Sequence, residues 1–489
     1  MIDDLDLKIS KGVSWTFLFR VLNQLVQLAF SILLARLLGP EEFGTIGIIT
    51  VFSGFAMVFG EFGISSALVQ RKEMLEIHVS TGFWLQFTIS IVVSLVFWTS
   101  APYLAAFFEI PIITVLTRII SVVFVLQAIG QTHYALLLRS FCFREIGLAI
   151  FGATLIAGSV ASALALLDFG VYALAWQPVA YTLVWTIIIC LSSNWRPKLM
   201  FSWNAASSLL KYSTYLFGHS SLNYWMRNGD NLLIGKFLGT ADLGIYSRAY
   251  SLMLLPLNNI GVILGQVMFP SFSILQDDLA RFRILYLRAL RMIAFITFPM
   301  MTGMSFLSKS IVQIMFGNTW EGVTPILQIL SVVGLLQSII FPVGWIYTSL
   351  GRTREQFLLS LFLLVVFVFL MIVGIPYGLM GVTYAYSAWA LLSAILNIWI
   401  AGGYIGINLG DVVRALRGRA LLTAAMLLLL VLFDYMVAMN LGHVWRACSI
   451  VTIGVISYCF LCFVFKDEIF VEIVEMLRRG DLRARLNTD

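Results

Sequence analysis

Long apolar runs recur along almost the whole chain, and they constrain its fold more than any other feature. Each run is long enough to cross a bilayer, which takes roughly 20 apolar residues in a helix. Only short polar segments separate the runs, so no soluble domain fits between them. Charged residues make up 11% of the 489 residues, whereas about a quarter is usual in soluble domains. The sequence therefore predicts an all-α polytopic membrane protein.

The apolar runs predict about fourteen transmembrane helices. The first run carries Arg20 and Gln27, lacks a small-residue cleavage site and leads directly into the next run. It is therefore interpreted as a first helix rather than a removed signal peptide. The predicted helices are residues 12–38, 43–69, 79–106, 112–138, 146–167, 169–193, 213–238, 243–271, 286–315, 323–350, 357–375, 377–402, 419–439 and 443–465.

Lys and Arg are unevenly distributed between the two sides of this topology. Basic residues are enriched in cytoplasmic loops, so the asymmetry predicts that both termini are cytoplasmic. It also accounts for the net charge of +6, and no nucleic-acid site is predicted. The predicted extracytoplasmic loops, which contain no Lys or Arg, lie around residues 39–42, 107–111, 168, 239–242, 316–322, 376 and 440–443.

The chain also repeats itself at an offset of 200 residues. The segment LLARLLGPEEFG, at 33–44, is matched by LLIGKFLGTADLG at 232–244. Lys11 and Lys211 both fall on the cytoplasmic side, so each repeat holds an even number of helices in the same orientation. This pattern predicts two parallel six-helix repeats related by an axis along the membrane normal. The predicted parts are an N-terminal lobe, a cytoplasmic linker, a C-terminal lobe, two further helices and a cytoplasmic amphipathic tail, at residues 1–193, 194–212, 213–402, 403–465 and 466–489.

Polar and ionisable side chains inside the predicted helices are the best candidates for a substrate site. Charge is costly in hydrocarbon, so such groups usually face a wet cavity or a partner. The spacing of these residues on helices 1 and 7 places them on one face of each helix, and the repeat brings the two faces together across a cleft. The predicted substrate-binding residues are Arg20, Asn23, Gln27, Asn223, Arg227 and Arg248, and the predicted coupling or gating residues are Glu61 and Asp230.

Each of these charges has a second interpretation. Guanidinium groups grip phosphate oxygens with parallel hydrogen bonds, which favours an anionic substrate. Alternatively, Arg227 pairs with Asp230 one turn later and stabilises the lobe interface. Arg20 could instead reach the cytoplasmic headgroups. Glu61 would carry a coupling proton, coordinate Na⁺ or accept a bond from Arg20.

No metal or cofactor site is predicted, and coupling to Na⁺ or H⁺ is the one ion requirement considered. The four histidines are scattered, and the five cysteines lie within or beside apolar runs as small hydrophobic residues. The tail predicts an amphipathic helix held at the membrane surface by apolar burial and anionic lipid. Arg288 and Arg291, at the cytoplasmic start of helix 9, either receive a lipid phosphate or anchor that helix.

Motifs concentrated in the first lobe carry a family resemblance. In combination they resemble the polysaccharide transporter branch of the multidrug, oligosaccharidyl-lipid and polysaccharide (MOP) flippase superfamily, of the colanic acid exporter type. The resemblance runs from about Lys8 to Trp345. It implies a two-lobed bundle that carries an undecaprenyl-diphosphate-linked oligosaccharide across the bacterial inner membrane by alternating access, with cavity residues on helices 1, 2, 7 and 8. The motifs are LLARLLGPEEFG, FGEFGISSALVQRKE, STGFWLQ, FREIG and SNWRPK.

Two other functions compete with this interpretation. A drug antiporter of the same superfamily would share the helices but would need a more aromatic and acidic cavity. A membrane polysaccharide polymerase or ligase would need a sizeable extracytoplasmic loop, and every predicted loop on that side is short. The sequence thus predicts a transporter rather than an enzyme. Its expected partners are the lipid-linked oligosaccharide, membrane lipids and other polysaccharide-assembly proteins.

Overall fold

A computed structural model of the protein describes residues 2–61, 64, 75–437 and 442–479. Inside its helices, the side chains of 2–14, 60–61, 208–220 and some shorter stretches fall outside the description. The described part of the chain is helical, and no strand occurs in it. The α-helices are α1 Ile2–Leu37, α2 Pro40–Glu61, α3 Glu76–Phe108, α4 Ile112–Arg139, α5 Phe143–Leu166, α6 Val171–Ser192, α7 Trp203–Phe237, α8 Thr240–Ile274, α9 Leu279–Met315, α10 Val323–Ile340, α11 Val343–Ser349, α12 Thr353–Gly374, α13 Gly378–Tyr404, α14 Leu409–Met436, α15 His443–Val464 and α16 Glu468–Arg479.

Eleven segments of the described chain are helices long and apolar enough to cross a membrane. One of them, Thr353–Tyr404, is interrupted by a 3-10 turn at Ile375–Tyr377 and so contains both α12 and α13. Helices α7 and α8 have 35 residues each, which is also sufficient length, although they are not among the eleven. The all-α polytopic fold is therefore confirmed, while the number of fourteen spans stays a prediction.

Met1–Gly244 and Ile245–Asp489 form two compact units. In the first unit, α5 packs against both α1 and α6, and α4 packs against α3 and α6. Glycines bring α1 close to α5, because a Cβ atom at Gly147 would lie 2.3 Å from the ring of Phe19, and one at Gly158 would lie 2.2 Å from Phe30. Two aromatic rings seated on glycines therefore fix which side of α1 faces the bundle.

In the second unit, α9 is the central helix and contacts α10, α14 and α15. Aromatic side chains fill the core around its first half. Phe282 and Tyr286 of α9 pack with Phe272 of α8 and Trp345 of α11, all of them buried. A second apolar cluster joins α9 to α14 and α15 through residues such as Leu307, Met426 and Ile450.

The first two helices of each predicted repeat form matching hairpins. The first hairpin is α1–α2, and its turn lies between Leu37 and Pro40. The second hairpin is α7–α8, and its turn lies between Phe237 and Thr240. The helix ends therefore reproduce the 200-residue offset found in the sequence. The lobes 1–193 and 213–402 are defined by this repeat rather than by compactness, and they stay a prediction.

Candidate functional site

Polar residues form a stripe along α1. Arg20, Gln24 and Gln27 are spaced by four and three residues, so they share one side of the helix. Arg20 and Gln27 are exposed and Gln24 is half-buried. An exposed apolar side suits lipid, and it lies opposite the stripe, so the stripe faces away from the side best suited to hydrocarbon. That apolar side is formed by Leu18, Val21, Leu22, Leu25 and Leu33, whereas Phe17, also exposed, lies beside the stripe one turn before Arg20.

Asn23 lies at the edge of this stripe, on the side of α1 where Phe19 and Phe30 contact α5. Its Oδ1 atom is buried and has no hydrogen-bond partner among the described residues. A buried acceptor without a donor is costly in a folded protein. The position therefore suits an acceptor that is completed by water or by a substrate hydroxyl.

Helix α7 carries charged and amide side chains at the matching place in the second hairpin. Arg227 is exposed, whereas Asp230 is only 2% exposed. The Oδ1 atom of Asp230 accepts a hydrogen bond of 2.8 Å from the backbone N–H of Asn231. Within the described part of the chain, Asn231 Oδ1 is buried and lacks a donor. Helices α1 and α7 thus each carry a buried amide oxygen without a hydrogen-bond donor among the described residues.

Contacts with α2 hold this part of α7 in place. The hydroxyl of Tyr224 donates a hydrogen bond of 2.6 Å to the carbonyl of Val51. Its ring lies on Gly54, where a Cβ atom would come within 2.5 Å of the hydroxyl oxygen. A glycine at residue 54 is therefore required for this approach of the two helices.

The turns of the two hairpins also meet through their backbones. A Cβ atom at Gly44 would lie 1.7 Å from the carbonyl oxygen of Thr240, and one at Gly244 would lie 1.9 Å from that of Pro40. Because the offset of 200 relates these residues pairwise, the contact is reciprocal, and we call it the glycine interlock.

The remaining predicted site residues are distributed as follows. Arg248 is half-buried on α8, in the second compact unit. Glu61 ends α2 and Asn223 lies within α7, but both side chains fall outside the described residues. Among the residues that the structure describes, no group of three His, Cys, Asp or Glu side chains could hold a metal ion.

A cavity of about 670 Å³ opens elsewhere in the first unit, beside the N-terminal end of α3 and the C-terminal end of α6. Hydroxyl, thiol and indole groups contribute to its wall, together with the carboxylate of Glu76. None of the predicted site residues is among those that line it. The lining residues include Glu76, Ser140, Cys142, Ser193, Asn194 and Trp195.

Comparison with known proteins shows the family to which the chain belongs. A sequence profile described as "polysaccharide biosynthesis protein" matches residues 33–325, more than half of the chain. The chain belongs to the polysaccharide biosynthesis protein family. One curated relative is the lipopolysaccharide biosynthesis protein WzxC of Escherichia coli (strain K12), which is 27% identical over 400 residues, 80% of each chain.

Two solved structures show the same fold. The inward closed conformation of the lipid II flippase MurJ has a TM-score of 0.76 at 18% identity, over 93% of this chain and 99% of MurJ. An inward-facing multidrug resistance MATE family transporter of the MOP superfamily has a TM-score of 0.64 at 16% identity, over 78% of this chain and 94% of that one. The predicted polysaccharide biosynthesis family is confirmed, the fold is that of these two transporters, and the chain is a multi-pass membrane protein.

Sequence reasoning did not identify the contacts that surround the predicted site. Gly44 and Gly244 are matching positions of the repeat, but their contacts with Thr240 and Pro40 were not predicted. Their signal was present in the sequence, because a glycine kept at the same place in two hairpin turns indicates a close backbone approach. Tyr224 gave no such signal, since an aromatic residue is unremarkable in an apolar helix.

Proposed function

We propose that the protein is a flippase that carries an undecaprenyl-diphosphate-linked oligosaccharide repeat unit from the cytoplasmic to the periplasmic leaflet of a bacterial inner membrane. The polar stripe of α1 carries this proposal. Arg20, Gln24 and Gln27 lie opposite the exposed apolar side of a helix in a membrane protein of a polysaccharide biosynthesis family. The names of WzxC and of the lipid II flippase MurJ agree with a lipid-linked glycan as cargo.

The chemistry of the stripe fits the polar end of such a lipid. Arg20 and Arg227 supply fixed positive charges that bind the oxygens of a diphosphate with paired hydrogen bonds. Gln24 and Gln27 offer amide donors and acceptors to glycan hydroxyls. The polyprenyl chain stays in the bilayer throughout, because removing it from hydrocarbon costs about 0.8 kcal/mol for each CH₂ group. The protein therefore needs a wet path for the head group alone.

Alternating access requires one end of this path to be closed while the other is open. In our proposal the glycine interlock closes the extracytoplasmic end, and its separation opens it. Both termini lie in the cytoplasm, as the distribution of Lys and Arg predicts. Na⁺ or H⁺ coupling is assigned to Glu61 or Asp230. Other polysaccharide-assembly proteins would then use the delivered repeat unit.

Deletion of the gene in its bacterial host tests the proposal directly. Cells without the protein should accumulate an undecaprenyl-linked oligosaccharide and lose the corresponding surface polysaccharide, and the native gene should restore both. Arg20→Ala or Arg227→Ala should fail to restore export at normal protein level. Arg281→Ala should restore it fully, because that side chain is 71% exposed and pairs with Asp278 on its own turn. Normal export by both site variants would refute the assigned residues.

The antiporter alternative gives a different result. Proteoliposomes that hold a drug antiporter would exchange an amphiphilic cation for H⁺ or Na⁺. Our proposal predicts no such exchange, together with movement of a lipid-linked oligosaccharide between leaflets. Cation exchange without lipid movement would establish the alternative.

A further inference from the structure

Acidic side chains join the tail helix α16 to helices α9 and α14 of the second unit. Its sequence predicts an amphipathic helix held at the membrane surface by apolar burial and anionic lipid. In the structure, the first three acids of the tail also contact arginines of α9 and α14. These pairs join Asp467 to Arg419, Glu468 to Arg291 and Glu472 to Arg288.

The first of these pairs is a buried anchor. Asp467 and Arg419 approach to 2.9 Å, and their side chains are 5% and 8% exposed. Asp467 Oδ1 also accepts the backbone N–H groups of Ile469 and Phe470, at 3.0 and 3.3 Å, and so caps the start of α16. Separating a buried pair leaves a charge without a partner, which is strongly unfavourable. The beginning of the tail helix is therefore fixed.

The two outer pairs are different because each of them has one partner that is open to water. Arg291 and Glu468 approach to 2.5 Å, but the Glu468 side chain is 70% exposed. Arg288 contacts Glu472 while remaining half-exposed. Ion pairs of this kind contribute little to stability and are screened by salt. Asp467 and the buried side chain of Ile469, which is 4% exposed, fix the first turn of α16. Glu468 can therefore leave Arg291 by side-chain rotation, and Glu472 can leave Arg288 when the later turns lift.

The position of the two arginines suits the headgroup level of a membrane. Helix α9 has 37 residues and is thus about 55 Å long, whereas the hydrocarbon core measures about 30 Å. Its excess length must lie beyond the hydrocarbon. Arg288 and Arg291 lie in roughly the first four turns, at the end that the distribution of basic residues predicts to be cytoplasmic.

We propose that Arg288 and Arg291 form a binding site for the phosphate of a lipid headgroup, and that Glu468 and Glu472 occupy this site when no headgroup is bound. A guanidinium group binds carboxylate and phosphate with the same geometry. A phosphate carries more charge and more acceptor oxygens than a carboxylate, so it competes for the half-exposed Arg288 and the partly exposed Arg291. The tail then acts as a latch that lifts from α9 when the phosphate arrives.

Two lipids could supply this chemistry: an anionic phospholipid or the diphosphate of a lipid-linked sugar. The inference goes beyond the proposed function, since headgroup binding is measured without export. A protein that exports no glycan could still show the latch by hydrogen exchange. A protein without the latch could still export glycan.

Hydrogen–deuterium exchange of the full-length protein in lipid nanodiscs tests the latch. Three compositions are compared: phosphatidylcholine alone, with added phosphatidylglycerol, and with added undecaprenyl diphosphate. Release of the later turns of the tail should raise exchange in residues 472–475 by roughly tenfold, while residues 412–425 of α14 stay unchanged. A response to undecaprenyl diphosphate alone identifies the substrate diphosphate, and a response to both lipids identifies phosphate in general. Equal exchange in all three compositions would overturn the proposal.

Charge variants separate a latch from a simple structural clamp. Glu468→Gln/Glu472→Gln should raise exchange in phosphatidylcholine alone and should bind undecaprenyl diphosphate several times more tightly. Arg288→Gln/Arg291→Gln should loosen the tail equally but abolish its response to phosphate lipids. Asp277→Asn, in the exposed loop before α9, removes a negative charge without touching the latch and should match the native protein. Unchanged lipid binding in the glutamate variant would mean that the two ion pairs only clamp the tail. A persistent response in the arginine variant would mean that the phosphate does not act through Arg288 and Arg291.

Discussion

The glycine interlock and the tail latch hold helices together by opposite means. At the interlock, the Cα atoms of Gly44 and Gly244 lie against backbone carbonyls, with no room for a side chain. At the latch, long side chains such as Arg288 and Glu472 reach across exposed space. The first contact cannot accept one added atom, and the backbone atoms that touch there are uncharged; the nearby carboxylates of Glu42 and Asp242 lie on the first turns of α2 and α8. The second accepts substitution easily and depends on salt.

The largest effect is expected where backbone meets backbone. Gly44→Ala places a methyl carbon where only 1.7 Å separates it from the carbonyl oxygen of Thr240, so the two turns must move apart. Because our proposal requires this contact to close the extracytoplasmic end, export should fall by more than tenfold. Surface polysaccharide, measured at equal protein level, checks this result.

Gly303→Ala is the matched control for the interlock. Nothing lies within 4 Å of a Cβ atom at that position in α9, and alanine favours a helix over glycine by about 1 kcal/mol. Export by this variant should be normal. Normal export by Gly44→Ala as well would remove the interlock from the mechanism.

Asp467→Ala should have the next largest effect, at the anchor of the tail. The substitution leaves Arg419 buried without its partner, which costs about 3–5 kcal/mol. Glu468→Ala removes an exposed partner and should cost less than about 1 kcal/mol. Hydrogen exchange of α16 measures both. Equal losses of stability in the two variants would contradict the distinction between the buried anchor and the exposed outer pairs.

Tyr224→Phe should have a moderate effect near the interlock. It removes the hydrogen bond from the tyrosine hydroxyl to the carbonyl of Val51 and leaves the ring in place, a loss of about 1 kcal/mol. Export should fall by roughly fivefold at most. Tyr377→Phe, at a position 77% exposed in the 3-10 turn, should leave export unchanged. A complete loss in Tyr224→Phe would indicate that the hydroxyl does more than join two helices.

Added salt should produce the smallest effect and should act on one region alone. Raising the ionic strength from about 0.1 to 1 M shortens the screening length from about 10 to 3 Å. Exchange in α16 should rise a few-fold, while exchange near residues 44–54 should stay constant. A salt response at the glycine interlock would contradict its description as an uncharged contact.

The fold could be predicted largely from hydrophobic periodicity and the repeat. The apolar runs predict where the helices lie, because a membrane helix is a continuous stretch of sequence. The 200-residue offset predicts that the turns at Gly39 and Gly239 match. The helix ends were less predictable. For example, α14 begins at Leu409, almost three turns before the apolar run at 419, because Asn408 and Asp411 form a capping box.

The candidate site was predictable in part. The polar residues on α1 and α7 were identifiable because such side chains are rare in membrane helices. The acids of the tail were overlooked, since no local pattern links Glu468 to Arg291 across 177 residues of sequence. Contacts of that kind depend on tertiary packing, which a single sequence does not encode in any short motif.

Side-specific labelling of the stripe on α1 tests the central claim most directly. Gln27→Cys and Leu25→Cys are compared in a variant that lacks the five native cysteines, at positions about 3 Å apart along the helix axis. A membrane-impermeant maleimide should modify the cysteine at 27, which our account places in water, and should not modify the one at 25, on the apolar side. Equal protection of both positions would contradict the hydrated path on which the proposed transport depends.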